Sequence, residues 1–179
     1  EFAMRSACHY GHIEMVKYLI SLGSDINEEG FSFACYNGHL EIVKYLISLG
    51  KEINIHARDE FAMRSACQEG RLEIIKYLIN LGEERKSPIN IYAVDNNAFI
   101  LACKKGHLEV VKYLISLESH IIHFGNELAI RVACNYGQLE IVKYLIELGK
   151  EINSPIDIRV NNNELFNVSE TNHPEIFSY

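Results

Sequence analysis

The sequence predicts an all-α protein built as a solenoid of helix-turn-helix repeats. Three observations lead to this prediction. The tetrapeptide Lys-Tyr-Leu-Ile occurs five times in the 179 residues, starting at positions 17, 44, 76, 112 and 143. Each copy follows an Ala-Cys pair and a glycine at nearly constant spacing. The phrase EFAMRSAC stands at residues 1–8 and again at 60–67. A period of about 30 residues is typical of stacked repeats.

Each repeat is expected to contain two short helices, as the third repeat illustrates. Asp59 is a suitable N-cap, because a carboxylate accepts the free N–H groups of a first helical turn. The first apolar face that follows consists of Ala62, Met63, Ala66 and Cys67. Gly70 is expected to end the first helix and Gly82 the second. The second apolar face consists of Leu72, Ile75, Leu78 and Ile79, and the N-cap position of other repeats holds Asn27, Asp95 and Asn126.

Stacking of repeats is needed because isolated helices of about ten residues are marginal in water. Neighbouring repeats therefore build one continuous core. The pattern predicts a single array over residues 1–168, followed by a tail at 169–179. Its expected repeats span 1–27, 28–58, 59–94, 95–125 and 126–160, with a partial sixth, capping repeat at 161–168.

Composition excludes several classes of partner. The net charge is −7, and the chain lacks the basic stripe of a nucleic-acid-binding protein. No apolar run approaches the roughly 18–20 residues that cross a bilayer. The five cysteines are an odd number, one per repeat, which argues against a disulfide framework and favours a reducing, cytoplasmic location. We therefore expect neither nucleic acid nor membrane as a partner.

No catalytic or metal-binding motif emerges. Cys8/His12, Cys35/His39 and Cys103/His107 have i,i+4 spacing, but a glycine separates the members of each pair, and two repeats replace the histidine with Arg71 and Gln138. The cysteines are therefore interpreted as small core residues. No phosphate-binding glycine loop, HExxH or GxSxG sequence is present. We expect no enzyme activity, no cofactor and no metal.

The string Ala-x-x-Gly-His-Leu-Glu-Ile-Val-Lys-Tyr-Leu-Ile-x-Leu-Gly resembles the ankyrin repeat over residues 1–153. The Ala-Cys and Lys-Tyr-Leu-Ile variants are most similar to ankyrin proteins of mimivirus-like giant viruses of amoebae. The resemblance implies two helices and a hairpin turn per repeat, and it implies a location in the host-cell cytoplasm. The family's Thr-Pro-Leu-His start is absent, and turn lengths vary, so we expect an ankyrin-type solenoid with irregular hairpin loops.

The positions that vary between repeats are the pair before each turn glycine and the hairpin tips. The resemblance implies that these positions face a concave groove where a partner protein docks. Tyrosines are favoured as interface anchors, and a lysine pair offers positive charge to a partner's carboxylate. The predicted partner-binding residues are Tyr10, Tyr36, Asn37, Arg58, Glu60, Gln68, Glu69, Asn96, Lys104, Lys105, Glu127, Asn135 and Tyr136.

These features favour a protein-protein interaction scaffold whose partner is an unidentified protein. An alternative is the substrate-recognition arm of a larger ubiquitin-ligase adaptor or viral effector chain. A third hypothesis takes Asn27, Asn54 and Asn153 as substrates of asparaginyl hydroxylation, because they stand at the family's asparagine position.

The repeated phrase EFAMRSAC makes a further prediction about the first repeat. Its second copy should have Phe61, Met63 and Cys67 covered by the preceding repeat. The first copy has no preceding repeat to cover Phe2, Met4 and Cys8. The absence of an initiator Met and of a polar capping helix therefore favours further ankyrin repeats N-terminal to residue 1, or a neighbour over this face.

Overall fold

The computed structural model describes residues 2–26, 28–50 and 53–156, except for the side chain of Asn126. Asn27, the partial sixth repeat at 161–168 and the tail at 169–179 lie outside the described residues. Two compact units divide the chain, Glu1–Val94 and Asp95–Tyr179.

The described residues form helices and no strand, which confirms the all-α prediction. Within the described ranges, ten α-helices follow one another in five helix-turn-helix pairs, with one 3₁₀ helix at Ser119–His123. The α-helices are α1 (Phe2–Tyr10), α2 (Ile13–Ser21), α3 (Glu28–Asn37), α4 (Leu40–Ser48), α5 (Ala57–Gln68), α6 (Leu72–Glu84), α7 (Ala93–Lys105), α8 (Leu108–Leu117), α9 (Phe124–Asn135) and α10 (Leu139–Glu151).

The first compact unit stacks its helices in two layers. The first helices of successive repeats pack together, α1 on α3 and α3 on α5, and the second helices follow as α2 on α4 and α4 on α6. The predicted apolar faces make up this core: Ala62, Met63, Ala66 and Cys67 are all buried, as are Ile75 and Leu78. Helix α6 also buries Ile74 and Leu81, whereas the predicted Leu72 and Ile79 are only half-buried.

In the second compact unit, α10 packs against both α8 and α9, and the 3₁₀ helix contacts α8 and α9. Its core contains Val111, Leu114, Ile122 and Ile130, and Leu145 on α10 is also fully buried.

The predicted N-caps at Asp59 and Asp95 are wrong. Asp59 and Asp95 are the third residues of α5 and α7. Both lie in a left-handed turn at the start of the helix, and the regular helix begins after this turn. The turn contains Arg58, Asp59 and Glu60 in the third repeat, with φ between 53° and 61°. Equivalent left-handed residues are Val94 to Asn96 in the fourth repeat, and Gly125 and Glu127 in the fifth. Residues other than glycine rarely adopt this backbone conformation, so contacts with the surrounding structure must stabilise the turn.

The prediction that Gly82 ends the second helix is also wrong. Helix α6 continues through Gly82 to Glu84, and the returning chain crosses directly above the glycine. A Cβ built there would lie 2.9 Å from the carbonyl oxygen of Ser87 and 3.1 Å from the backbone nitrogen of Ile89. Gly149 in α10 has a similar close approach. These glycines are needed for backbone contact rather than to stop a helix.

A side chain from the next repeat lies over the turn glycine of the preceding one. His39 Nε2 donates a hydrogen bond of 2.9 Å to the carbonyl oxygen of His9, above Gly11. Arg71 donates to the carbonyl of Tyr36 at 3.0 Å, and Gln138 to that of Lys104 at 3.0 Å. His39, Arg71 and Gln138 therefore do the same thing: each donates a hydrogen bond to a backbone carbonyl of the preceding repeat.

The two copies of EFAMRSAC differ less in burial than we predicted. Met4 and Cys8 are buried although no described repeat precedes them. Phe61 is 40% exposed, so the prediction that the preceding repeat covers it is wrong. The predicted exposure of Phe2 is confirmed, since Phe2 is 74% exposed, and Met15 and Tyr18 on α2 are exposed as well.

Candidate functional site

A pocket opens on the first helices of the first compact unit. Its volume is about 280 Å³. Helices α3 and α5 supply most of its walls. Their lining residues are three or four positions apart and therefore lie on one face of each helix. The lining residues are Arg5, Glu29, Ser32, Phe33, Tyr36, Arg58, Phe61 and Ser65.

Two guanidinium groups share one carboxylate at the rim of this pocket. Arg5 Nη1 lies 3.3 Å from Glu29 Oε2, and Arg58 Nη2 lies 3.4 Å from Glu29 Oε1. Arg64 does not line the pocket; its guanidinium lies 5.8 Å from the ring centre of Phe61 and donates to the backbone carbonyls of Arg58 and Asp59. The rim is therefore locally positive on a chain whose net charge is −7.

Three of the predicted site residues meet beside the pocket. A hydrogen bond to Glu69 raises the pKa of Tyr36, because the neighbouring carboxylate disfavours the phenolate. Gln68 Nε2 donates to Glu69 Oε1 at 3.0 Å. The hydroxyl of Tyr36 is thus held by the next repeat while its ring lines the pocket.

The other predicted residues of the first two repeats form a second contact group. Tyr10 is exposed, and its ring packs edge-on against His9 with centres 4.7 Å apart. Asn37 Nδ2 lies 3.1 Å from His9 Nδ1 and donates to the carbonyl of Phe33 at 2.9 Å. Asn37 therefore fixes the relative position of two repeats.

In the second compact unit, Lys104 and Tyr136 form a pair. The ammonium group of Lys104 lies 4.5 Å from the ring centre of Tyr136, within the range of a cation–π interaction. Tyr136 remains exposed, as do Lys105 and Asn135. These predicted residues form an accessible surface on this compact unit.

Three of the predicted partner contacts are buried, contrary to what we expected of a docking surface. Glu60, Asn96 and Glu127 are between 0 and 8% exposed. They occupy the same position in the left-handed turns that precede α5, α7 and α9. Their side chains stabilise this turn or fill the core beneath it, so they are not carried into the proposed function.

The two buried glutamates belong to matching hydrogen-bond chains. His56 Nδ1 donates to Glu60 Oε1 at 2.8 Å, and His56 Nε2 lies 3.0 Å from Ser87 Oγ. In the second compact unit, His123 lies 2.8 Å from Glu127 and 2.9 Å from Ser154 Oγ. In each chain the histidine therefore bridges a buried carboxylate and a serine hydroxyl. Each chain joins the turn at the start of a helix pair to the loop that follows that same pair.

The thiols are buried in the core rather than placed in a reactive site. All five cysteines are free and buried. Burial raises the pKa of Cys8 and of Cys134 to about 11, and raises those of the other three further. A thiol that stays protonated is a poor nucleophile. The described residues contain no group of three or more His, Cys, Asp or Glu side chains able to hold a metal ion.

Sequence reasoning found Tyr36 and Arg58 but missed most of the pocket. Phe61 was assigned to the core, and Arg5, Glu29 and Phe33 were not predicted as site residues. One signal was available: Phe and Arg recur three residues apart in both copies of EFAMRSAC, and each pair stacks in the structure. Phe2 is 74% exposed and Phe61 is 40% exposed, so in both copies the Phe and Arg pair marks a partly exposed site.

The chain matches the family model "Ankyrin repeats (3 copies)" over residues 3–88, 31–123 and 64–156. Among solved structures, it is similar to the human ASB11 ankyrin repeat domain, at 26% sequence identity and a TM-score of 0.63. That alignment covers 82% of this chain and 68% of the other. No curated protein matches the chain significantly. Among the described residues, no helix has the length and apolar character needed to cross a membrane.

Proposed function

Because the chain belongs to the ankyrin-repeat family, whose repeats are generally protein-protein interaction modules, we propose that it binds a partner protein through the pocket between α1, α3 and α5. The observation that supports this proposal is the composition of the pocket. Aromatic rings from Phe33, Tyr36 and Phe61 surround a space below two arginines. Such a site buries an apolar anchor and pairs a charge at its rim, as interface hot spots do.

The charge at the rim indicates which partner fits. Arg5 and Arg58 share the single carboxylate of Glu29, which itself remains partly exposed. A second carboxylate, supplied by the partner, would complete the pairing of Arg58. We therefore propose a partner segment that presents an aliphatic or aromatic side chain beside an aspartate or glutamate. Complementary charge at a rim also speeds association and excludes partners of the same sign.

A displayed library of random peptides tests this proposal while the partner is still unidentified. Peptides selected on the chain should be enriched in an apolar residue beside an acidic one. Phe61→Ala should weaken the selected peptides at least tenfold, the loss of about 1.4 kcal/mol that truncating an interface anchor commonly causes. Circular dichroism would confirm that the variant remains folded.

A matched control comes from an aromatic residue outside the pocket. Tyr18 is exposed on α2 and does not line the pocket, so Tyr18→Ala should leave peptide affinity unchanged. Selected peptides that bind Phe61→Ala as tightly as the wild type would contradict the proposal. A selection that yields no acidic enrichment would contradict the proposed chemistry of the partner.

The second compact unit offers a further contact region at Lys104 and Tyr136. We propose that this pair contributes to binding a large partner, since an exposed tyrosine backed by a cation is a typical anchor. Alanine at both Tyr36 and Tyr136 should weaken an identified partner more than alanine at either one. Equal affinities of the single and double variants would remove Tyr136 from the interface.

Three narrower proposals accompany this function. The first is that the chain acts in the cytoplasm, within the host cell if it is of viral origin. The second is that the chain is the substrate-recognition arm of a larger ubiquitin-ligase adaptor or viral effector and binds the substrate with the same pocket. Hydroxylation at Asn54 is compatible with its exposed position, although its side chain already accepts a 3.0 Å hydrogen bond from the His56 backbone. Intact mass of material from the native host would show the added oxygen.

A further inference from the structure

Two Ser-Pro sequences occupy equivalent places at the ends of the long second helices. Ser87 follows α6 and Ser154 follows α10, and each donates its backbone N–H to a glycine carbonyl inside that helix at 2.9 Å. The residue before each serine is left-handed, with φ of 54° at Lys86 and 53° at Asn153. Each serine hydroxyl also contacts a histidine Nε2. The backbone of the two sites is therefore the same.

Exposure and charge distinguish the two serines. Residues 83–88 are all exposed, including Ser87, whereas Ser154 is half-buried. Arg85 and Lys86 directly precede Ser87, while Ile152 and Asn153 precede Ser154. Opening this loop would break the hydrogen bonds of Ser87 to Gly82 and His56 but would move no buried side chain of residues 83–88, so the segment can open to enter an enzyme's active site.

A cavity with a cationic wall adjoins Ser87. Its volume is about 580 Å³, and it is lined by Gly50, Ile53, Asn54, Ile55, His56, Arg85 and Ser87. Arg85 donates to the carbonyl of Ile53 at 3.3 Å, which holds the guanidinium at this cavity and leaves its other N–H groups available to a further acceptor. The cavity has room for a phosphoryl group on Ser87 Oγ.

We propose that Ser87 is a phosphorylation site for a proline-directed protein kinase, and that Ser154 is not. In the transfer, Ser87 Oγ forms a bond to the γ-phosphorus of ATP, and the bond from that phosphorus to the bridging oxygen breaks. ADP leaves with the electron pair, and the hydroxyl proton passes to the kinase's general base. Both serines precede a proline, so the exposed loop and the cationic cavity wall at Arg85 are what favour Ser87 over Ser154.

Arg85 determines what the added phosphate does to the fold. The phosphate would lie near the carboxyl end of α6, where the helix dipole disfavours negative charge, and Glu83 and Glu84 add to that repulsion. Arg85 and Lys86 oppose it with charge-assisted hydrogen bonds. The phosphorylated chain should therefore remain folded, with the phosphate held against Arg85.

Phosphorylation of the folded chain by a proline-directed kinase and ATP tests the acceptor assignment. Fragment mass spectrometry should place one phosphoryl group at Ser87 and none at Ser154, and Ser87→Ala should abolish the modification. A synthetic peptide of residues 81–91 serves as the control for kinase activity. Modification of that peptide without modification of Ser87 in the folded chain would overturn the proposal, as would equal modification of both serines.

Thermal denaturation tests the role of Arg85. Phosphorylation should leave the Tm of the wild type unchanged or raise it. In Arg85→Gln, phosphorylation should lower the Tm by about 2–4 °C, the shift expected for the loss of roughly 1 kcal/mol in a chain of this size. Equal shifts in the two proteins would show that Arg85 does not hold the phosphate.

Discussion

Truncation of one apolar side chain to alanine should have very different effects in two equivalent positions, Met15 and Ile42. Both residues are the third residue of their second helix. Met15 is 49% exposed, whereas Ile42 and its equivalents in the three later repeats are each 1% exposed. The difference arises because α4 packs against α2 of the preceding repeat, whereas no described repeat precedes α2. Ile42 is therefore part of an inter-repeat core, and Met15 is not.

The expected magnitudes follow from burial. Ile42→Ala removes a fully enclosed side chain and leaves a cavity, which should lower the free energy of unfolding by about 2–5 kcal/mol. Met15→Ala removes a side chain that is half in water and leaves no enclosed cavity. Half of the usual transfer term amounts to about 1 kcal/mol. Urea denaturation followed by far-ultraviolet circular dichroism measures both values on the same chain.

Equal losses in the two variants would refute this reasoning. A large loss in Met15→Ala would mean that α2 is covered in solution, either by residues outside the described ranges or by another molecule. A small loss in Ile42→Ala would mean that the repeats do not stack as the structure shows. The unchanged slope of unfolding with urea provides the control for comparable unfolded states.

Three further changes test other parts of the structure. Gly82→Ala should lower the free energy of unfolding by about 1–3 kcal/mol, since a Cβ 2.9 Å from the Ser87 carbonyl outweighs the roughly 1 kcal/mol gain in helix propensity; greater stability in urea would contradict the close approach. Val94→Gly should raise the free energy of unfolding by about 1 kcal/mol, because a β-branched residue is strained at φ 53°, and the equivalent Gly125→Val should lower it similarly. The raised pKa of Cys67 keeps its thiol protonated in the fold while the unfolded thiol ionises, so stability falls above about pH 9. Cys67→Ala should reduce that fall by about 1.4 kcal/mol per pH unit, and an unchanged slope between pH 9.5 and 10.5 would contradict burial of the thiol.

The repeat architecture could be predicted because it depends on apolar residues whose spacing is visible in the sequence. The five Lys-Tyr-Leu-Ile segments each lie in a second helix, and the five cysteines are all buried. Both features follow from helical periodicity and residue size. Neither depends on which distant residues meet.

The left-handed turns could not be predicted, because their stability comes from tertiary contacts. Asp59 is a residue type that commonly caps helices. In the structure, the hydrogen bond between His56 and buried Glu60 instead holds residues 58–60 in a left-handed turn. Glycine commonly ends helices, but Gly82 is needed because the backbone of Ser87 passes too close to leave room for a Cβ. Local sequence preferences give way where a long-range contact fixes the backbone.

The pocket could be predicted only in part, for a similar reason. Variation between repeats identified Tyr36 and Arg58, whereas Phe61 belonged to a repeated phrase and was assigned to the core. The structure shows that this phrase combines buried positions with one partly exposed aromatic position. Repetition in a sequence therefore marks a shared structural position, which does not exclude a role on the surface.

A charge-reversal cycle on Arg58 tests the proposed partner surface most directly. The probe is the tightest displayed peptide that contains an acidic residue, together with a version in which that residue is lysine. Fluorescence anisotropy would measure both peptides on the wild type, on Arg58→Glu and on Lys76→Glu, which makes the same charge change on an exposed helix face.

Arg58→Glu should weaken the acidic peptide at least tenfold and restore much of the affinity of the lysine peptide, because a close charge pair across an interface is coupled by about 1.5 kcal/mol or more. Lys76→Glu should change neither affinity beyond a small, salt-dependent effect. Weakening of both peptides to the same degree by Arg58→Glu, or the same pattern in Lys76→Glu, would contradict binding at the pocket.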